Sequence, residues 1–157
     1  MEIIEMPRSI ESEAAVIGSV LINAEMFDEC NHVIGADDFS SNVNKEIWKA
    51  FIELHKNKRD IDMLTVSELV KQDGVDFSYL TGLVGKSPNS FNAKSYAEEV
   101  RDKSRRRRQV VIAERIIKGA FNGGVNVADV VGDLVGTSDL RRSAETLVKG
   151  LSEYYDY

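Results

Sequence analysis

The segment Gly82-Leu83-Val84-Gly85-Lys86-Ser87 ends in the Gly-Lys-Ser of a phosphate-binding loop. In such a loop, backbone N–H groups cradle the phosphates, the lysine reaches them and the hydroxyl holds Mg2+. The full spacing requires glycine at position 80, which here is Leu80. Pro88 also drives Ser87 out of the helical region, just where a nucleotide-binding helix would begin. Phe77 to Val84 itself reads as helical, so the motif is expected to be a helix C-terminus and turn.

The second candidate is Arg105-Arg106-Arg107-Arg108, with Arg101, Lys103, Arg115 and Lys118 nearby. At 100° per residue, Arg101, Arg105, Arg108 and Arg115 fall within roughly 80° of one helix face. One reading is a contact stripe for a DNA backbone or an acidic partner. The plainer one is a solvated face with local pairs, such as Glu98 with Arg101 or Asp102 with Arg106.

Other chemistry is sparse. His32 and His55 are the only histidines, and neither has a cysteine or second histidine at ligand spacing. Both are expected to be structural or surface residues. Cys30 is the only cysteine. It excludes an internal disulfide framework and a Cys-rich zinc module, and it reads as a small buried apolar residue. The 26 acids make chance proximity common, so no acid–base pair is assigned. The catalytic, cofactor and metal sets of this chain are all expected to be empty.

The elements that must carry these residues are helices. Ser9 is a plausible N-cap, followed by Ile10, Ala14, Ile17, Val20 and Leu21 at helical spacing. Glu11 and Glu13 lie in the first turn, where the helix dipole favours acids. A short helix is expected from Glu25 to Val33. The next, about 44–57, gathers Ile47, Phe51 and Leu54 on one face, with Trp48 and Ile52 beside them. Thr65 is expected to cap a helix through Lys71, and Tyr79 to Val84 forms another. A long helix follows from Asn92 to Phe121, which would span roughly 40 Å. Val127 to Val135 reads as a return helix completing a hairpin. Ala144 to Leu151 is a final amphipathic segment. No alternating pattern is long enough for a sheet. The expected fold is all-α: a compact helical head (1–91), a protruding helical hairpin for self-association (92–136) and a linker segment (137–157).

The composition agrees with a soluble globular chain. Of 157 residues, 43% are apolar and 29% charged, with only 2 Pro and 11 Gly. No apolar run approaches ~18 residues, and the acidic start, Met1-Glu2-Ile3-Ile4-Glu5, is not that of a signal peptide. A cytoplasmic location with no membrane contact follows as the expectation. Charge is uneven: residues 1–92 are net −8, residues 93–121 net +5 and residues 122–157 net −3. Only the middle segment suits phosphate contact. There, Val110, Val111, Ile112, Ile116 and Ile117 surround the helix beyond Gln109. An oligomer neighbour would cover such a collar.

Several blocks carry a family resemblance. Pro7 to Leu21 resembles the opening of the N-terminal domain of DnaB-type replicative DNA helicases. In the same order come Asp38-Phe39, Asn44 with Ile47 to Leu54, Asp62-Met63-Leu64-Thr65 and Tyr79-Leu80. Ser87-Pro88-Asn89-Ser90 with Asn92, and Tyr96 to Arg101, complete the series. Together they cover residues 7–118, and the match is weak from 122 to 143. Arg105-Arg106 replace a pair that is commonly apolar in the family, and Ser12 replaces an alanine.

The resemblance implies a collar domain. Hairpins pair into dimers, and three dimers form a ring beside a hexameric motor. That assembly docks primase and a loader and guides single-stranded DNA, weakly or only when complete. Val110, Ile112, Ile116 and Ile117 would form the self-association interface. Leu147, Val148 and Leu151 would lie on the linker helix toward the ATPase motor, which this sequence does not contain. ATP and Mg2+ would belong to that motor in the parent helicase, with a phage or other mobile element as one candidate source. Rival readings are a free-standing regulator that caps or inhibits a host helicase, a primase-type helicase-binding adaptor and a small NTPase acting through Lys86.

Overall fold

The computed structural model describes residues 5–70, 74–87, 89–124, 130 and 132. Among these there are six α-helices and no strand. They are α1 (Ile10–Ile22), α2 (Met26–Asn31), α3 (Asn42–Lys56), α4 (Met63–Leu69), α5 (Phe77–Gly85) and α6 (Ala93–Asn122). One-turn 3-10 segments, Ala36–Asp38 and Ser90–Asn92, precede α3 and α6. The chain divides into two compact units, residues 1–108 and 109–157, and α6 contributes to both.

Four of the helix starts, those of α1, α3, α4 and α5, carry a side-chain cap. Ser9 Oγ accepts from Ser12 N–H, Ser41 Oγ from Asn44 N–H, and the Asp76 carboxylate from Tyr79 N–H. These side chains satisfy donors that the first turn leaves without intrahelical partners. For α4 the cap is Asp62, not Thr65 as expected. Asp62 is extended and its carboxylate accepts from the N–H groups of Leu64 and Thr65. The Thr65 hydroxyl accepts from Asp62 N–H in return, closing a capping box. The bond from Thr65 N–H does most to hold the Asp62 carboxyl below the usual aspartate range. At the far end of α6, Gly123 takes a φ of 66° and its N–H bonds Gly119 O. This left-handed stop favours glycine.

α1 is the central helix of the first unit. Its residues from Glu13 to Val20 are buried without a break, whereas Ile10 is exposed. An amphipathic stripe was expected, but α2, α3, α5 and the second 3-10 turn all pack on α1. A helix surrounded in this way is buried on every face. Its contact with α5 is too close for a side chain at Gly18. A Cβ there would sit 2.3 Å from Leu83 O, so only glycine fits.

Around α1 the core is aromatic. Trp48 packs against Phe27, Phe39 and Phe51, with ring centroids 5.2–5.5 Å away. Ile47 and Leu54 of α3, Val66 of α4 and Leu80 of α5 complete it. Each such side chain, once buried, contributes about 1.5–3 kcal/mol relative to exposure. α3 shows its expected face, but Ile52 is exposed.

The first half of α6 docks on this unit through small residues. Ala93, Ala97 and Val100 belong to the same core, and Ser104 is buried one turn further on. Of the expected hairpin return helix, only Val130 and Gly132 lie among the described residues. Both are helical, and Val130 is buried. The linker residues Leu147, Val148 and Leu151 lie outside the described residues.

Candidate interaction surfaces

The buried polar centre of the first unit is Glu13, only 1% exposed. Its carboxylate accepts from Ser40 N–H (2.7 Å), Ser40 Oγ (2.5 Å), Ser41 N–H (3.2 Å) and Asn44 Nδ2 (3.0 Å). Burying a carboxylate is costly unless it is hydrogen-bonded this fully. Glu13 therefore sits at the start of α3 rather than answering the dipole of its own helix. Tyr79 Oη lies 3.5 Å from Asn44 Oδ1. Burial, then the charge of Glu13, pushes the Tyr79 phenol above its ordinary range. The network joins α1, α3 and α5 and exposes no reactive group.

The arginine run has been divided among several tasks. Arg105 and Arg106 both pair with Asp102, at 2.9 and 2.8 Å. Desolvation would raise the Asp102 pKa, but these two guanidinium groups outweigh it and hold the carboxyl below its usual range. Arg108 pairs with Asp38 and also donates to Ser104 Oγ. Arg107 turns inward and bonds the carbonyls of Pro7 and Asp38. Among the described residues, Arg101 makes no ion pair, so the pair expected with Glu98 does not form. Arg115 is exposed. The four residues of the expected stripe thus share a face but not a role. Arg107 and Asp38 were missed, although Arg107 lies within about 20° of buried Val100 on the helical wheel.

Beyond Arg108, α6 changes character. Val110, Ile112 and Ile116 are half-buried. Val111 is 47% exposed, Ile117 55% and Phe121 87%. Large apolar side chains in successive turns of one helix are a recurring mark of a protein–protein surface.

The remaining candidates are structural. Lys86 N–H bonds Leu83 O and Ser87 N–H bonds Val84 O, each at 3.1 Å. The backbone donors that a phosphate would need are spent within the turn that ends α5, so these residues do not fit a nucleotide phosphate. His55 Nε2 lies 3.1 Å from Asp28 Oδ1 and its ring packs on Phe27. His32 Nδ1 lies 2.6 Å from Asp28 O. Cys30 is buried, and burial followed by the charge of Glu29 raises its thiol pKa to about 11. Among the described residues no group of three or more His, Cys, Asp or Glu could hold a metal ion, and no helix is long and apolar enough to cross a membrane.

An all-α unit with a satisfied polar centre, and a long helix whose second half carries exposed apolar residues, define an all-α helical domain. Residues 5–102 match the DnaB-like helicase N terminal domain family, and the chain belongs to it. It is 30% identical over 126 residues to the replicative DNA helicase DnaB of Buchnera aphidicola subsp. Baizongia pistaciae, covering 77% of this chain and 27% of that protein. It is 29% identical over 121 residues to the DnaB of Haemophilus influenzae, covering 74% and 26%. The chain thus spans about a quarter of the length of these curated relatives.

Solved structures agree on the fold. The N-terminal domain of DnaB helicase from Mycobacterium tuberculosis superposes with a TM-score of 0.72 at 22% identity, covering 82% of this chain and 94% of that one. A DnaB-like replicative helicase, solved in a study of its interactions with primase, superposes with a TM-score of 0.65 at 22% identity. It covers 95% of this chain and 35% of that one.

Proposed function

We propose that this chain acts as the collar domain of a DnaB-type replicative helicase, assembling with copies of itself and docking primase or a loader during DNA replication. The observation that carries the reading is the exposed apolar run Val111, Ile117 and Phe121 on α6, in a chain of this family. Val110 lies on the side of Ile117 and Phe121, whereas the half-buried Ile112 and Ile116 lie across the helix from them. Support for primase docking comes from the interactions with primase described for the Helicobacter pylori DnaB N-terminal domain.

On this reading the chain contributes geometry rather than chemistry. ATP and Mg2+ act in the motor of the parent helicase, and single-stranded DNA is held by the complete assembly. Arg101, Arg105 and Arg115, all exposed, would be the residues that face DNA or an acidic partner, whereas Arg108 is held by Asp38.

Light scattering over a range of concentrations tests the assembly. The wild-type chain is expected to form a dimer or higher species. Ile117→Glu, which places a charge on the apolar run, is expected to shift it toward monomer. A wild-type chain that stays monomeric at the highest attainable concentration overturns self-association through this surface.

A further inference from the structure

Apart from the Glu13 network, the apolar packing of the first unit is joined by a second set of polar contacts, a seam at the start of α1 and along α6. There the N-terminal arm, the Ala36–Asp38 turn and the fourth turn of α6 meet through polar contacts. The Asp38 carboxylate accepts from Ser104 Oγ (2.6 Å), from Arg108 Nη2 and from Gly35 N–H (2.9 Å). Its backbone carbonyl accepts from Arg107 Nη2, and Arg107 Nη1 donates to Pro7 O at 2.9 Å. One guanidinium thus reads two carbonyls, 100 and 69 residues away in sequence, in the fork geometry that arginine alone provides.

Two properties set this seam apart from the core. The Asp38 side chain is only 14% exposed while Arg108 is 51% exposed, so the charged contacts are protected on one side and open to ions on the other. The contacts also form a chain. Arg108 and Ser104 fix Asp38, Asp38 presents its carbonyl to Arg107, and Arg107 holds the arm at Pro7. Among the described residues no hydrogen bond joins Asp38 to the arm directly; Arg107 bridges them. Segments held by few contacts of this kind open at lower free energy than the core.

We propose that Asp38, Arg107 and Arg108 form a salt-sensitive lock on the N-terminal arm, in which the arm and the Ala36–Asp38 turn release from α6 as one coupled event. The lock is a conformational device within the first unit. The core of Trp48 and its neighbours stays intact when it opens.

Limited trypsin digestion of the full chain, followed by mass spectrometry, reads the lock through the cut after Arg8. Cleavage there requires the arm to leave α6. Losing a charge-assisted hydrogen bond corresponds to about a tenfold rise in the open population. Arg107→Ala and Asp38→Asn are each expected to speed the cut by about that factor. Asp37→Asn makes the same change in net charge next to the seam, and Arg101→Ala removes an unpaired arginine. Both are expected to leave the rate unchanged. Raising salt on the wild-type chain is expected to speed the cut relative to an unstructured Pro-Arg-Ser peptide, a measurement that does not depend on any variant folding.

An unchanged rate in Arg107→Ala overturns the lock. Acceleration in Arg107→Ala but not in Asp38→Asn overturns the coupling. A salt-independent rate in the wild type overturns its ionic character.

Discussion

The two halves of α6 are built on opposite plans. From Ala93 to Arg108 the helix presents small side chains to its own unit, and Ala93, Ala97 and Ser104 are buried there. From Gln109 onward it carries Val110, Val111, Ile112, Ile116, Ile117 and Phe121, with Ile117 and Phe121 largely exposed. Small residues let a helix approach a packed surface closely. Large β-branched and aromatic residues left uncovered on the next turns have no such use within the described part of the chain. The contrast teaches that one helix serves two ends: the first half sets the position of the helix on its unit, and the second half offers surface.

If that division is right, substitutions on the docked side should cost stability and substitutions on the offered side should not. The largest effect is expected at Glu13, whose network supports the unit on which α6 docks. Glu13→Ala strands four donors, and urea unfolding should show a loss of about 3 kcal/mol or more. Ala97→Leu inserts three heavy atoms into a filled contact and should cost about 1–3 kcal/mol by the same measurement. Ile117→Glu should change stability by less than about 0.5 kcal/mol while altering assembly. A large stability loss at Ile117 would break the comparison, because it would mean that this half is packed within its own chain.

The smallest effect belongs to the exposed charges. Arg105→Ala removes one of two partners of Asp102 and should cost no more than about 0.5 kcal/mol in thermal melts. The acid limb sharpens this point. Asp102 has a folded pKa below its ordinary 3.8. Its stabilising contribution is therefore complete above pH 3.8 and is lost as pH falls through the lower folded value. Proton titration of Asp102 in Arg105→Ala should show the pKa moving back up toward the ordinary value.

Much of the fold was legible because helical period and end signals are local. α3 could be read from Ile47, Phe51 and Leu54, although its start was set at about 44 and its cap, Ser41, was not read. The long helix could be read from the absence of proline and glycine before Gly119. What escaped was decided by contacts distant in sequence. Glu13 was read as an acid answering its own helix dipole, since nothing local reveals that Ser40, Ser41 and Asn44 converge on it. Thr65 was read as a cap because its hydroxyl suits the role, yet Asp62 three residues earlier has the charge and the extended backbone. Arg107 was lost inside a run of four arginines. Its place on the face of Ala93, Ala97, Val100 and Ser104 was available from the helical wheel, but an arginine on a buried stripe needs a carbonyl partner that only the folded chain supplies. The apolar residues after Gln109 could be read, but not which of them are exposed, because exposed and buried uses of valine and isoleucine differ in what lies opposite them, not in the residues themselves.

Trp48 is the only tryptophan of the chain. It sits wholly buried in an aromatic cage, and its indole N–H is without a partner. An indole in such dry surroundings emits at short wavelength, and water reaching it shifts the emission to the red. These 157 residues therefore hold one indole, placed in the first unit and far in sequence from the second half of α6. Opening of the head would be visible through its colour, whereas the association proposed for Ile117 and Phe121 is expected to leave the colour unchanged.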